Sequence, residues 1–134
     1  MLKYFFSVFV TLAMTGCAVL DSRPPEVIVT ERAQQRIDLL MDGDYEASYA
    51  FTTPGYRTTE GPGRYGTRWA GTSMWTHADV LNVRCDGSDT VRRCKVSVKV
   101  QYVAVKVGGS STVLREDWIF IDGNWFLHQN FSDG

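Results

Sequence analysis

Apolar positions change their spacing along the chain, and each change marks a different element. From Tyr4 to Met14 they form an almost unbroken run. Ala33, Ile37, Leu40 and Met41 then fall at i, i+4, i+7 and i+8, which places them on one face of a helix. Thr30 is the predicted N-cap of that helix and Gly43 its stop. Asp44 can cap a second, short helix running to about Phe51, which Pro54-Gly55 ends. Residues 52–73 lose the helical period. Gly55, Gly61, Gly63, Gly66 and Gly71 alternate there with Tyr56, Tyr65 and Trp69. A loop of this length in a small domain usually carries function or helical turns of its own, so a partly ordered loop with one helical turn near Arg64 to Ala70 is expected.

Beyond residue 73 the period shortens to two. Met74 to Cys85 and Val91 to Val107 read as strands joined by turn residues 86–90. Lys95, Ser97, Lys99 and Gln101 alternate with Val96, Val98 and Val100, which gives one wet face and one buried face. Gly108 to Ser111 is the next expected turn. Val113 to Ile121 and Asn124 to Asn130 form a hairpin closed by Asp122-Gly123, a strong short-range hairpin signal. The predicted architecture is α+β. N-terminal helices pack on one face of a curved antiparallel sheet of about four strands.

Length and charge narrow the partners. The chain has 134 residues and a formal net charge of -1. Nothing in it supplies the basic excess that nucleic-acid binding requires. Removing the first 16 of the 134 residues leaves 118, which is one domain with room for a core.

The N-terminal run explains that removal. Lys3, the apolar stretch and Thr15-Gly16 before Cys17 have the order of a secretory signal. The stretch is shorter than the roughly 20 residues a membrane span needs. Met14-Thr15-Gly16-Cys17 is similar to a bacterial lipobox, with methionine in place of the commoner leucine. The similarity implies cleavage before Cys17 and lipid on its thiol. Acyl chains add about 0.8 kcal/mol per buried CH₂, so several chains would anchor stably. Ala18 after the cysteine is the kind of residue that favours sorting to the outer membrane. The expected organisation is therefore a signal peptide over 1–16, a lipidated cysteine and Pro24-Pro25 tether over 17–26, and a single domain over 27–134. The expected location is the bacterial cell envelope, on the outer membrane and facing the periplasm.

An exported chain meets an oxidising compartment, so Cys85 and Cys94 read as a disulfide. A metal site is the rival reading. It lacks a nearby histidine or second cysteine pair, so no metal and no cofactor are expected. Placing Cys85 opposite Cys94 sets Val83 against Val96, Leu81 against Val98, Asp79 against Val100 and His77 against Tyr102. A bulge between residues 75 and 81 would turn the outer end of this ladder over.

The succession of Gly43-Asp44-Tyr45, Thr53-Pro54-Gly55-Tyr56-Arg57, Trp75, the Cys85/Cys94 pair and Asp122-Gly123-Asn124-Trp125 resembles small proteobacterial lipoproteins of the nuclear transport factor 2-like (cystatin-like) superfamily. That resemblance implies a cone of helices wrapped by a curled sheet. The superfamily includes isomerases, dehydratases and cyclases that work inside the cone. Their full set of catalytic residues does not map onto this sequence.

Candidate chemistry then rests on individual residues. His77 and Asp79 share one strand face and, in the register above, lie beside Tyr102 on the buried side. Burial there would raise the aspartate's pKa and lower the histidine's, moving both toward general acid–base work. Tyr45 and Tyr49, one helical turn apart, and Trp75 are candidate ligand-binding residues, although aromatics so spaced more often pack a core. Asp117 and His128 should face each other in the last hairpin, a pairing of interest if it borders a pocket. Both faces of hairpin 113–130 are apolar, which suits contact with an envelope protein or a second copy. The sequence reading is a non-enzymatic binding or interaction module tethered to the outer membrane. The alternative is a small lyase or isomerase with acid–base residues in the cone.

Overall fold

The computed structural model describes residues 21–87, 90 and 92–130. The expected signal segment over 1–16 and the expected lipidation site, Cys17, lie outside the described residues. Among the described residues four helices come first: α1 Pro25–Met41, α2 Tyr45–Tyr49, α3 Pro54–Thr59 and α4 Pro62–Trp69, followed by a 3₁₀ segment Ala70–Met74. The strands β1 Trp75–Cys85, β2 Arg93–Ala104, β3 Gly108–Ile121 and β4 Asn124–His128 follow. They pair antiparallel in the order β1-β2-β3-β4. The expected α+β order and four-stranded meander are therefore present. The sheet is open, with β1 and β4 at its edges, so a closed cone is not established.

Several boundaries differ from expectation for local reasons. α1 starts at Pro25, ahead of the predicted Thr30 cap. Proline at the first helical turn has no N–H to waste and a preset φ. Thr30 sits inside the helix, where its hydroxyl donates to the Glu26 carbonyl. The same rule accounts for the region expected to be loop. Pro54 and Pro62 each open a helix, and the Thr53 side chain caps the first by accepting from the Tyr56 N–H. The Asp44 cap and the Gly43 stop hold: Asp44 Oδ1 accepts from Ala47 N–H, and Gly43 takes φ +75°. Asp122 and Gly123 both have positive φ, as a type I′ hairpin turn demands. The β2–β3 turn falls at residues 105–107 instead of 108–111. Gly108, at φ +77°, already pairs with Ala104.

The core lies between α1 and the inner sheet face. Val29, Ala33, Ile37 and Leu40 from α1 meet Val96, Val98, Val100, Trp118 and Leu127. Segment 51–53 adds to the β4 edge. Leu127 N–H donates to the Phe51 carbonyl, and Thr53 N–H donates to the Leu127 carbonyl. This covers backbone groups that an edge strand would otherwise leave open.

Register is where the sequence reading needs correction. Cys85 and Cys94 are opposite and bonded, and Val83 faces Val96. A bulge between Val80 and Asn82 then shifts the ladder, so Val80 faces Val98, Ala78 faces Val100, Asp79 faces Lys99 and His77 faces Gln101. Gln34 on α1 fixes this arrangement. Its amide oxygen accepts from Val80 N–H and its amide nitrogen donates to the Ala78 carbonyl. Leu81 occupies the bulge and is exposed.

Candidate functional site

The bulge decides the fate of the acid–base candidates. His77 and Asp79 lie on the outer, solvent-facing side of β1, with side chains 62% and 55% exposed. They contact each other, His77 Nε2 to Asp79 Oδ2 at 2.5 Å. Tyr102 is half-buried on the inner face, paired with Trp75 across a second shift between Trp75 and His77. The three residues are not brought together, and His77 and Asp79 are not buried as expected.

Tyr45 and Tyr49 are held by packing. The Tyr45 ring lies against Gly66, and its hydroxyl is 3.5 Å from Thr72 Oγ1. Tyr49 donates to the carbonyls of Glu60, at 2.6 Å, and Arg57, at 3.2 Å, while its ring contacts Tyr56 and Tyr65.

The molecule's buried chemistry lies elsewhere, on residues the sequence reading passed over. Arg36 follows Ala33 by three on the inner stripe of α1 and is fully buried. Glu116 alternates with Leu114 and Trp118 on β3, so it points inward too. Arg36 Nη1 lies 2.5 Å from Glu116 Oε1. Arg36 Nε donates to the Tyr65 hydroxyl at 3.2 Å, and that hydroxyl is 2.7 Å from Ser48 Oγ. Trp118 Nε1 donates to the other carboxylate oxygen at 3.0 Å. The guanidinium sits 4.5 Å over the Trp69 ring. Burial, the largest influence, works against the Arg36 charge, but the attraction of Glu116 and the Tyr65 oxygen outweighs it and raises the pKa above the ordinary arginine value. The signal was present in the sequence: opposite charges at two positions whose periods point them into the core.

A cavity of about 290 Å³ opens beside this network, where β4 ends. Trp69, Leu114, Glu116, Leu127 and Gln129 line its inner part, and Arg68, Arg115, Asp117, His128 and Asn130 its rim. Gln129 is 8% exposed, yet its Oε1 has no hydrogen-bond partner among the described residues, and neither has Trp69 Nε1. Arg68 Nη1 donates to the Asn130 carbonyl at 2.6 Å, which ties α4 to the chain beyond β4. Asp117 and His128 face each other as predicted, and both border this cavity. A second, more apolar cavity of about 380 Å³ lies on the other side of Trp69, lined by Thr72, Met74, Trp75, Tyr102 and Thr112. Trp75 and Tyr102 therefore border a cavity, whereas Tyr45 and Tyr49 line neither of these two. Among the described residues, no group of three or more His, Cys, Asp or Glu converges as a metal centre requires.

Comparison with known proteins adds fold-level relationships. No family model matches the sequence, and no curated protein matches it. Among solved structures, the chain is similar to a SEC-C motif containing protein from Psychrobacter arcticus, with a TM-score of 0.63 and 13% identity. The match covers 83% of this chain and 64% of that one, so this chain spans less than two thirds of its neighbour's length. A SEC-C motif containing protein from Rhodopseudomonas palustris matches with a TM-score of 0.49 and 17% identity, over 73% of each chain. The similarity to the Psychrobacter arcticus protein overturns the resemblance to nuclear transport factor 2-like lipoproteins. The segments that suggested it have local causes: Thr53 to Arg57 is a capped, proline-opened helix start, and Asp122-Gly123 is a tight hairpin turn.

Proposed function

We propose that the chain is a lipid-anchored envelope protein, tethered to the outer membrane through Cys17, that binds a small polar ligand without transforming it. The observation behind this reading is the cavity at the end of β4. It is lined by Leu114 and Leu127, by charged groups, and by Gln129 and Trp69, which each carry a buried polar atom without a partner among the described residues, Oε1 and Nε1. A buried polar group without a partner costs about 1–3 kcal/mol, so a ligand supplying both bonds would recover that cost. The lyase or isomerase reading has less support, because its leading residues, His77 and Asp79, face solvent. A protein contact through hairpin 113–130 also has less support. Phe126, on its outer face, lies under the Arg32 and Arg57 guanidinium groups at about 6.0 and 5.8 Å.

Two measurements test the proposal. Native mass spectrometry of the chain purified from membranes should show a small molecule at defined stoichiometry. In Gln129→Leu that adduct should be lost while the empty protein melts higher by the equivalent of about 1 kcal/mol. A chain that is always empty, or an adduct indifferent to Gln129→Leu, would remove the ligand-binding reading. For the anchor, Cys17→Ser is expected to move the protein from the membrane fraction to the soluble fraction. Retention of the variant on membranes would show the lipobox reading to be wrong.

A further inference from the structure

The outer sheet face carries an uneven charge pattern. At one end, Asp79 faces Lys99, a complementary pair. At the disulfide end, Arg84 faces Lys95 directly, and Lys95 faces Asp117 on its other side. Arg115, on the same face of β3, faces Ser97, which in turn faces Asn82. These side chains line a shallow cavity of about 370 Å³. Three cations thus share the concavity with two carboxylates, Asp117 and Glu116, of which Glu116 is already paired with Arg36. Among the described residues, none of Arg84, Lys95 and Arg115 forms an ion pair. Like charges directly opposite on neighbouring strands destabilise a sheet, so the Arg84–Lys95 pairing opposes folding unless something neutralises it.

We propose that this concavity is a binding site for a phosphate group, with Arg84, Lys95 and Arg115 as its cationic ligands. Neighbouring strands are about 4.8 Å apart, so long side chains from three successive strands can reach one anion. A phosphate offers several acceptor oxygens and about two negative charges, which suits guanidinium and ammonium donors together. The Ser97 hydroxyl and Asn82 amide lie between the cations and can donate to remaining oxygens. Asp117 limits the excess charge and selects for an anion seated toward Arg84. The proposal does not depend on the ligand at the end of β4. Arg84 and Lys95 line this concavity and do not line that cavity.

The test uses the full chain in a neutral detergent. Its melting temperature is measured in inorganic phosphate and in chloride at matched ionic strength. Phosphate should raise the melting temperature and chloride should not. Lys95→Gln and Arg84→Gln should each weaken phosphate binding about tenfold. Arg84→Gln should also melt higher than the parent in chloride, because the like-charge contact is relieved while Lys95 keeps Asp117 opposite it. A second arm adds phosphatidylglycerol or phosphatidylcholine to the micelles. Loss of the phosphate-dependent rise only with phosphatidylglycerol identifies a lipid headgroup as the source. A rise unaffected by either lipid identifies a free phosphate compound. Equal melting in phosphate and chloride, or a rise that survives in both variants, overturns the proposal.

Discussion

Arg36→Met is expected to lower stability by about 3–5 kcal/mol, because it leaves the Glu116 carboxylate buried without its counter-charge. For a domain of this size, that corresponds to a fall in melting temperature of roughly 15 °C or more. Trp118 Nε1 would still donate to Glu116, but one neutral hydrogen bond does not replace a guanidinium. The double variant Arg36→Met/Glu116→Leu should recover most of the stability, since buried ion pairs are often no better than well-packed apolar groups. Recovery will be incomplete by about 1–3 kcal/mol, because Trp118 Nε1 is left without its acceptor. Melting curves of the parent, both single variants and the double variant form a cycle. Simple additivity would show that Tyr65 and Trp69, and not Glu116, hold the Arg36 side chain in place.

The same residues show what a sequence makes legible. Asp122-Gly123, Asp44 and Gly43 act through backbone geometry within a few positions, so their roles follow from the chain itself. The valines of β2 likewise announce their face by period. Arg36 and Glu116 are 80 positions apart, and each taken alone looks like an ordinary polar residue. Their role appears only when α1 is laid over β3. The register of β1 was legible up to Val83 and misread beyond it. Val80-Leu81, two adjacent apolar residues, break the alternation, but which of them is extruded depends on Gln34 from a distant helix. That one-residue choice moved His77 and Asp79 from a supposed pocket to solvent. Pro54 was read as a breaker where it is a helix opener, because the residues that follow it pack as a helix only against α2 and the aromatic cluster. The cavity at the end of β4 was half legible: the Asp117–His128 pairing followed from the hairpin, while Gln129 and Trp69 gave no sign of being unpartnered.

The second large effect expected is on the disulfide. Cys85→Ser should cost about 2–4 kcal/mol, chiefly by freeing the unfolded chain from a short closed loop. The bridge joins residues only 9 apart at the end of the β1–β2 ladder. Next to it on β1, Val83 is paired with the core valine Val96, and β1 is an edge strand with no strand on its other side among the described residues. Farther along, Gln34 holds Ala78 and Val80 from α1. β1 is thus fastened at two separate points, and the variant removes one. Hydrogen exchange at Val83 to Cys85 should accelerate strongly in Cys85→Ser, while Ala78 and Val80 keep most of their protection. Gln34→Leu should give the reverse pattern. If both variants loosen the whole strand equally, β1 opens as one unit and the bulge is no independent anchor. The register that exposes His77 and Asp79 would then depend on the disulfide as much as on α1.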